Sequence, residues 1–375
     1  MKVDKTKWEK CKLEDLCTNE SSNIVISKVE IGRGNYSLFG ASGLIGNINF
    51  YQQERPYLGI VKDGSGVGRV AKYPSFTSLV GTMQYILPKE NVDIDYLHYL
   101  LVSLHLDKYV KGAAIPHIYF RHYKLEKTYL PPLSDQQTIA TELDSIQTII
   151  DGYKAQLADL DALAQSIFLD MFGDPITNPK GWKKKSLGTL CEVSSAKRVL
   201  VKDVVSEGIP FIRGTELAIL SKQCFFDKSI FSMFITPKHY DKVKAITGVP
   251  EIDDLLIPSI NPYGYVWRIN TTEPIYFKDG RVIWIHTNHS VYNGDCLRYI
   301  LVCEILEKYS KLSGAVFAEL TLIFLRTLKI IVPPLPLQQQ FAERIESIER
   351  QKELICQQLI DAEQLMAERM QYYFS

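Results

Sequence analysis

The heptapeptide Pro131-Pro132-Leu133-Ser134-Asp135-Gln136-Gln137 returns as Pro333-Pro334-Leu335-Pro336-Leu337-Gln338-Gln339, 202 residues later, and each copy opens a long amphipathic stretch. In the first, apolar side chains fall at Ile139, Leu143, Ile146, Ile150, Tyr153, Leu157, Leu160, Ala164, Ile167 and Met171. That alternation of four and three steps is the seam of a coiled coil. In the second, Phe341, Ile345, Ile348, Ile355, Leu359 and Met366 occupy the corresponding seam. Prolines stop what precedes each helix, Ser134 is the expected N-cap of the first, and Gly173 with Pro175 is its expected end. Helices of about 38 residues would be roughly 57 Å long at 1.5 Å per residue. A seam written twice in one chain predicts that the two helices pair with each other.

The segments between are also repeated. Trp8, Leu13, Leu16 and Cys17 match Trp182, Leu187, Leu190 and Cys191 at an offset of 174, and Leu97, Tyr99, Leu101 and Val102 match Leu297, Tyr299, Leu301 and Val302 at 200. The chain is therefore module, helix, module, helix, with boundaries expected at 1–130, 131–173, 174–331 and 332–375. Short strands separated by Gly-rich turns are read at 36–50, 56–73 and 81–88, and one inner helix per module at 93–110 and 294–310. Each inner helix leads to a glycine loop, at Gly112 and Gly314, and a last strand. The fold class is α+β: two tandem mixed α/β modules joined by two long helices. By contrast, residues 24–82 and 199–291 have little in common. Shared frames carrying different loops point to two related binding sites with two targets.

A net charge of zero hides a partition. Residues 1–133 carry +4 and 174–335 carry +5, while the helical stretches 134–173 and 336–375 carry −6 and −3. Basic modules on acidic rods fit modules that meet phosphate. Seven cysteines without a Cys-x-x-Cys argue against a disulfide framework or zinc ribbon, and favour a reducing cytoplasm. No apolar run has the length of a signal peptide core or a membrane span.

Catalytic patterns are missing. Gly64-Ser65-Gly66-Val67-Gly68 lacks the helix that a dinucleotide loop requires after it, and reads as a strand turn. Asn261-Pro262-Tyr263 lacks the second proline and the companion cofactor motif of an amino-methyltransferase, and His286 and His289 have no third ligand nearby. For a binding protein that meets nucleic acid, the useful groups are cations, amides, hydroxyls and aromatics on exposed turns. In the first module these are Arg33, Tyr36, Ser42, Lys62, Arg69, Lys72, His117 and Arg121; in the second, Lys197, Arg198, Arg213, Thr215, Asn261, Tyr263, Tyr265 and Arg268. A coiled-coil scaffold with two protein-binding modules and no DNA role is the alternative class; it predicts salt-insensitive partner binding.

The segments GNYSLFGASGLIG, KDGSGVG, KGAAIPHI, LPPLSDQQTIATELDSI, FGDPITNPKGWKKKSLGTLC, GIPFIRGTEL and VPPLPLQQQFAERI resemble the specificity subunit of type I DNA restriction-modification enzymes, across essentially the whole chain. The resemblance implies two target recognition domains, each binding one half of a split sequence in double-stranded DNA, on helices packed as an antiparallel coiled coil. It implies as partners two modification (methyltransferase) subunits and restriction (motor-nuclease) subunits. No cofactor is expected in this chain: S-adenosylmethionine, ATP and Mg would belong to the partners. One departure is that INPYGYVWRI stands in the second module where the first has DGSGVGRVAK, which leaves the equivalence of those loops open.

Overall fold

The computed structural model describes residues 5–112, 116–311 and 319–375. Two compact units emerge, Met1–Gly152 with Leu359–Ser375, and Tyr153–Gln358, so that each contains one module and part of each long helix. Gly314 and the Ala113–Ile115 portion of KGAAIPHI lie outside the described residues.

The first unit runs β1 (Glu9–Lys12), the single turn α1 (Leu13–Leu16), β2 (Cys17–Ser21), β3 (Tyr36–Gly40), β4 (Gly43–Ile48), β5 (Tyr57–Val61), β6 (Val70–Tyr73), β7 (Ser78–Leu79), β8 (Met83–Pro88), α2 (Ile94–Ser103), β9 (Lys127–Leu130) and α3 (Leu133–Phe172). Antiparallel strands in the order β2-β8-β5-β6 form one sheet; β4-β3-β7 form a second, in which β3 and β7 are parallel. Strand β5 is buried along its whole length, which its Tyr-Leu-Gly-Ile-Val composition permits. The ribbon β1–β9 pairs Glu9 with Leu130 and Lys12 with Lys127, bringing the module's ends together at the start of α3. Helix α2 is shorter than its apolar pattern. The Asp93 carboxylate caps it by accepting from the amides of Asp95 and Tyr96, and it stops where His105 adopts a left-handed φ of 48°.

The second unit repeats the plan with β10 (Lys184–Ser186), β11 (Glu192–Ser195), β12 (Val204–Val205), β13 (Ile209–Ile212), α4 (Gly214–Leu220), β14 (Phe234–Ile235), α5 (Pro237–Thr247), β15 (Leu255–Pro258), β16 (Trp267–Arg268), β17 (Tyr276–Phe277), β18 (Val282–His286), α6 (Gly294–Ser310), α7 (Leu322–Thr327), β19 (Lys329–Ile331) and α8 (Leu335–Phe374). The order β11-β18-β15-β16 reproduces β2-β8-β5-β6, the parallel pair β13/β17 reproduces β3/β7, and β10–β19 reproduces β1–β9. Residues 24–82 and 199–291 thus share a topology that their side chains do not advertise. Much of the second module's extra length lies between β13 and β15, where residues 213–254 carry α4, β14 and α5 against residues 41–56 in the first. The two doubtful loops are one and the same connection: 62–69 joins β5 to β6, and 259–266 joins β15 to β16.

Helices α3 and α8 are 40 residues each and pack together as in a coiled coil. Ser134 is not the N-cap of α3. The Pro132 carbonyl already accepts from the amides of Asp135 (2.9 Å) and Gln136 (3.0 Å), so Ser134 lies inside the first turn. The far end is as read: Gly173, at φ 74°, closes the helix on the Leu169 carbonyl. In the second unit the rings of Phe168 and Phe172 meet that of Phe341 at 5.7 and 5.3 Å, and Lys352 pairs with Asp161 at 2.9 Å, so the helices run antiparallel there. In the first unit, Glu142 accepts from the Tyr373 hydroxyl (2.7 Å) and pairs with Arg369 (3.0 Å), beside Ile139 and Leu143.

Burial along the seam is graded. Ile139, Leu143, Ile146, Ile150, Phe341, Ile345 and Ile348 are buried, whereas Tyr153, Leu157, Leu160, Ile355, Leu359 and Met366 are only half-buried. Near the end of α3 the buried set moves by one residue: Phe168 and Phe172 are wholly buried, and the seam positions Ile167 and Met171 are half-buried. The module's core, packing on a second face, selects the larger rings. The thiols also depart from expectation, since Cys224, in the loop after α4, is bonded to Cys356 of α8 across 132 residues, while Cys11, Cys17, Cys191, Cys296 and Cys303 are free.

Candidate nucleic-acid interface

In the first module, three loops meet around the glycine hairpin. Gly64, Gly66 and Gly68 all have φ near 90°, a region closed to most side chains, and this lets the β5–β6 connection fold back tightly. Arg69 reaches across it, its guanidinium donating to the carbonyls of Gly66 (3.3 Å) and Ala41 (2.9 Å), which ties the hairpin to the β3–β4 turn bearing Ser42. The Gly64 amide donates to the Pro116 carbonyl and Asp63 bridges to His117, so that His117 joins the same group. Lys62 lies alongside, paired with Asp63 at 3.1 Å. Ser42, Lys62, Arg69 and His117 are therefore brought together by the Arg69 guanidinium and by backbone bonds of the hairpin.

The remaining first-module residues lie apart from that group. Tyr36 begins β3, at the opposite end from Ser42, with its ring edge-on to Tyr51. Arg33 is exposed and pairs with Glu30; Lys72 is held by Asp95 of α2; Arg121 stacks its guanidinium over Tyr119 at 4.7 Å.

In the second module the cations gather around two adjoining concavities. One, of about 510 Å³, is lined by Arg213, Thr215, Pro258, Tyr263, Lys278 and Arg281. The other, of about 780 Å³, shares Arg213, Lys278 and Arg281 and adds Arg198 over an apolar floor of Phe211 and Met233. Arg213 is braced by Glu216, whose carboxylate accepts from its Nε at 3.1 and 3.2 Å and is buried at the first turn of α4. Burial alone would raise the Glu216 pKa; the Arg213 hydrogen bonds prevail and hold it below the usual carboxylate range. Arg281 pairs with Glu319 at 2.5 Å. Arg198 and Lys278 have no carboxylate partner among the described residues. Lys197 is exposed, and its backbone is pinned to the Tyr276 hydroxyl.

Two of the sequence-derived residues make internal contacts. Asn261 is wholly buried, its amide engaged with the backbone of Tyr265 at 2.7 Å in both directions. Arg268 is bound by Asp253 (2.5 Å) and Asp295 (2.9 Å). The Asn261 amide is thereby held within its turn, and Arg268 spends its Nε and one Nη on these carboxylates. Tyr265 is half-buried beneath Lys222, while Tyr263 is exposed. Lys278 and Arg281 were missed by the sequence reading, although Lys278-Asp279-Gly280 repeats the Lys62-Asp63-Gly64 signal of a basic turn. His286, at the end of β18, is joined to Asp254 at 2.9 Å.

The model for the type I restriction modification DNA specificity domain matches residues 5–160 and 179–364. The chain belongs to the type I restriction-modification specificity family. The MjaIX specificity subunit of Methanocaldococcus jannaschii is 25% identical over 308 residues, covering 76% of this chain and 68% of that protein. A putative type I restriction enzyme specificity subunit of Haemophilus influenzae is 22% identical over 352 residues, covering 91% and 87%. The crystal structure of the type I S subunit from M. genitalium shares the fold, with a TM-score of 0.59 at 15% identity over 100% of this chain and 98% of that one. The specificity subunit is noncatalytic, and its role is DNA recognition within a type I restriction-modification complex. Family identity implies association with methyltransferase and nuclease subunits. Among the described residues no helix is long and apolar enough to cross a membrane.

Proposed function

We propose that this specificity subunit reads a bipartite, asymmetric site in double-stranded DNA, one half per module, with a nonspecific gap between. Residues 1–130 and 174–331 are the recognition domains; 131–173 and 332–375 serve as spacer and as docking surface for two modification subunits, with motor-nuclease subunits joining the cytoplasmic complex. S-adenosylmethionine, ATP and Mg belong to those partners. The observation that carries this reading is one sheet order displayed twice with different loops at the same connection: a glycine hairpin braced by Arg69 in one, and an aromatic turn beside Arg198, Arg213, Lys278 and Arg281 in the other. Cations of this kind bind phosphate and position the protein, and neighbouring groups meet base edges. Ser42, Lys62, Arg69 and His117 form the first contact group. Arg33, Tyr36, Lys72, Arg121 and Lys197 are peripheral.

The test is module exchange. Residues 182–331 are replaced by those of a relative, the chain is combined with its modification subunits, and methylated sites are sequenced. One half-site changes and the other stays. An ungapped motif, or a change in both halves, refutes the division of labour.

A further inference from the structure

The turn between β15 and β16 is closed by hydrogen bonds of Asn261, and what it presents is an aromatic ring in water. The Asn261 side chain closes the turn on both the amide and the carbonyl of Tyr265, and the Asn261 amide donates to the Tyr309 hydroxyl at 3.0 Å. Pro262 restricts its own φ, and Gly264 takes φ 70° with Leu306 so near that a Cβ there would lie 2.9 Å from it. At the apex Tyr263 is 72% exposed, its ring beside that of Tyr265 at a centroid distance of 5.6 Å. Asn261 and Gly264 are buried and hold the turn, whereas among the described residues Tyr263 makes no hydrogen bond that would hold it. A large ring left in water, on a turn held by the Asn261 hydrogen bonds, is a group organised for something outside the chain.

We infer that Tyr263 is a specificity-determining residue for the half-site bound by the second module. This rests on the reading given under Proposed function and goes further by naming the contact. Phosphate is served by the cations on the rim of the same concavity, Arg213, Lys278 and Arg281. A tyrosine ring adds what they lack: an apolar face for a base or a thymine methyl, and a hydroxyl that both donates and accepts at a base edge. The equivalent connection of the first module, 62–69, carries Lys62, Asp63, Ser65, Val67 and Arg69 among its glycines and no aromatic ring, so the two modules read their halves by different chemistry.

The experiment uses the full chain assembled with its modification subunits. Tyr263→Ala and Lys278→Gln are compared with the parent for methylated-site preference and for the salt dependence of affinity for duplex DNA. Tyr263→Ala loses tenfold or more of its preference at one or two adjacent positions of a single half-site, with the other half and the salt slope unchanged. Lys278→Gln weakens all sequences alike and lowers the salt slope by about one. Tyr263 is not a specificity residue if the alanine variant keeps its preference within twofold at every position, or weakens all sequences uniformly. A parent complex that methylates no split site refutes the underlying reading and this inference together, and is recognised by appearing without any substitution.

Discussion

Gln136 and Gln338 make the same three hydrogen bonds, one set in each unit. Each Oε1 accepts from the amide of the residue capping the inner helix, Asp93 at 2.8 Å or Asn293 at 3.0 Å. Each Nε2 donates to the carbonyl of the first proline, Pro131 or Pro333, both at 2.8 Å, and to a second carbonyl, Asn91 or Val291, both at 3.0 Å. Both side chains are wholly buried. They fasten the inner helix of each module to the start of its long helix, which is the physical reason for a Gln after every Pro-Pro-Leu.

Replacing either with alanine orphans a buried proline carbonyl and a part-buried amide and carbonyl, at about 1–3 kcal/mol for a buried group left unsatisfied. Gln136→Ala and Gln338→Ala should each lower the denaturation midpoint by the equivalent of ~2 kcal/mol or more. Gln137 and Gln339, next along the chain but exposed, should tolerate alanine within about 0.5 kcal/mol. Equal effects at both members of a pair would show that the buried network does not hold the junction.

The graded seam predicts graded sensitivity. Ile146 and Ile348 are 6% and 5% exposed, so Ile146→Asp or Ile348→Asp places a carboxylate where nothing pairs with it and should unfold or aggregate the protein. Leu157 and Leu359 are half-buried, and Gln at either should cost under about 1.5 kcal/mol. Soluble expression and urea unfolding of the four variants decide the point; a soluble, stable Ile348→Asp would contradict the packing.

Glu304 on α6 gives a pH dependence of defined sign. Burial first, and then the nearby carboxylates of Asp174 and Glu307, raise its pKa to about 7, against the opposing pull of Lys184 and Lys311. Its Oε1 is buried without a hydrogen bond. The folded state holds a proton that the unfolded chain releases near pH 4.5, so stability falls as pH rises between about 4.5 and 7 and stays reduced above. Glu304→Gln should therefore stabilise the protein at pH 8 and have little effect near pH 4. Melting temperatures of both forms across that range are the check, and a gain that is greatest in acid would reverse the sign and refute the assignment.

Repeats were legible in the sequence where burial enforces them. Trp8, Leu13, Leu16 and Cys17, the inner-helix leucines and the Pro-Pro-Leu-x-x-Gln-Gln start all face cores or buried polar networks, so they return at fixed offsets. The common topology of 24–82 and 199–291 was hidden, because a strand pair such as β3/β7 or β13/β17 asks only for alternating apolar residues and leaves the loops free. Asn261 and Arg268 have the letters of base-reading groups, yet one closes a turn from a buried position and the other is paired with two carboxylates, and neither burial nor pairing is written in the local sequence. The Cys224–Cys356 bond joins residues 132 apart, and no local spacing announces such a pair.

The last prediction concerns the rod. If modules of different loop chemistry read two half-sites, the length of α3 and α8 between them sets the unread gap. Seven residues removed from each helix keep the seam in register, since the apolar pattern repeats every seven. The deletion shortens each helix by roughly 10 Å at 1.5 Å per residue, or about three base pairs at 3.4 Å each. The recognised halves lie in the modules and should not change. Methylated-site sequencing of the deleted form should return the parental half-sites with a gap about three base pairs shorter, and DNA bending can only reduce that number, because the duplex bends to meet a protein at an elastic cost of a few kcal/mol. An unchanged gap in an active complex would show that the partner subunits, rather than these helices, hold the two recognition modules apart.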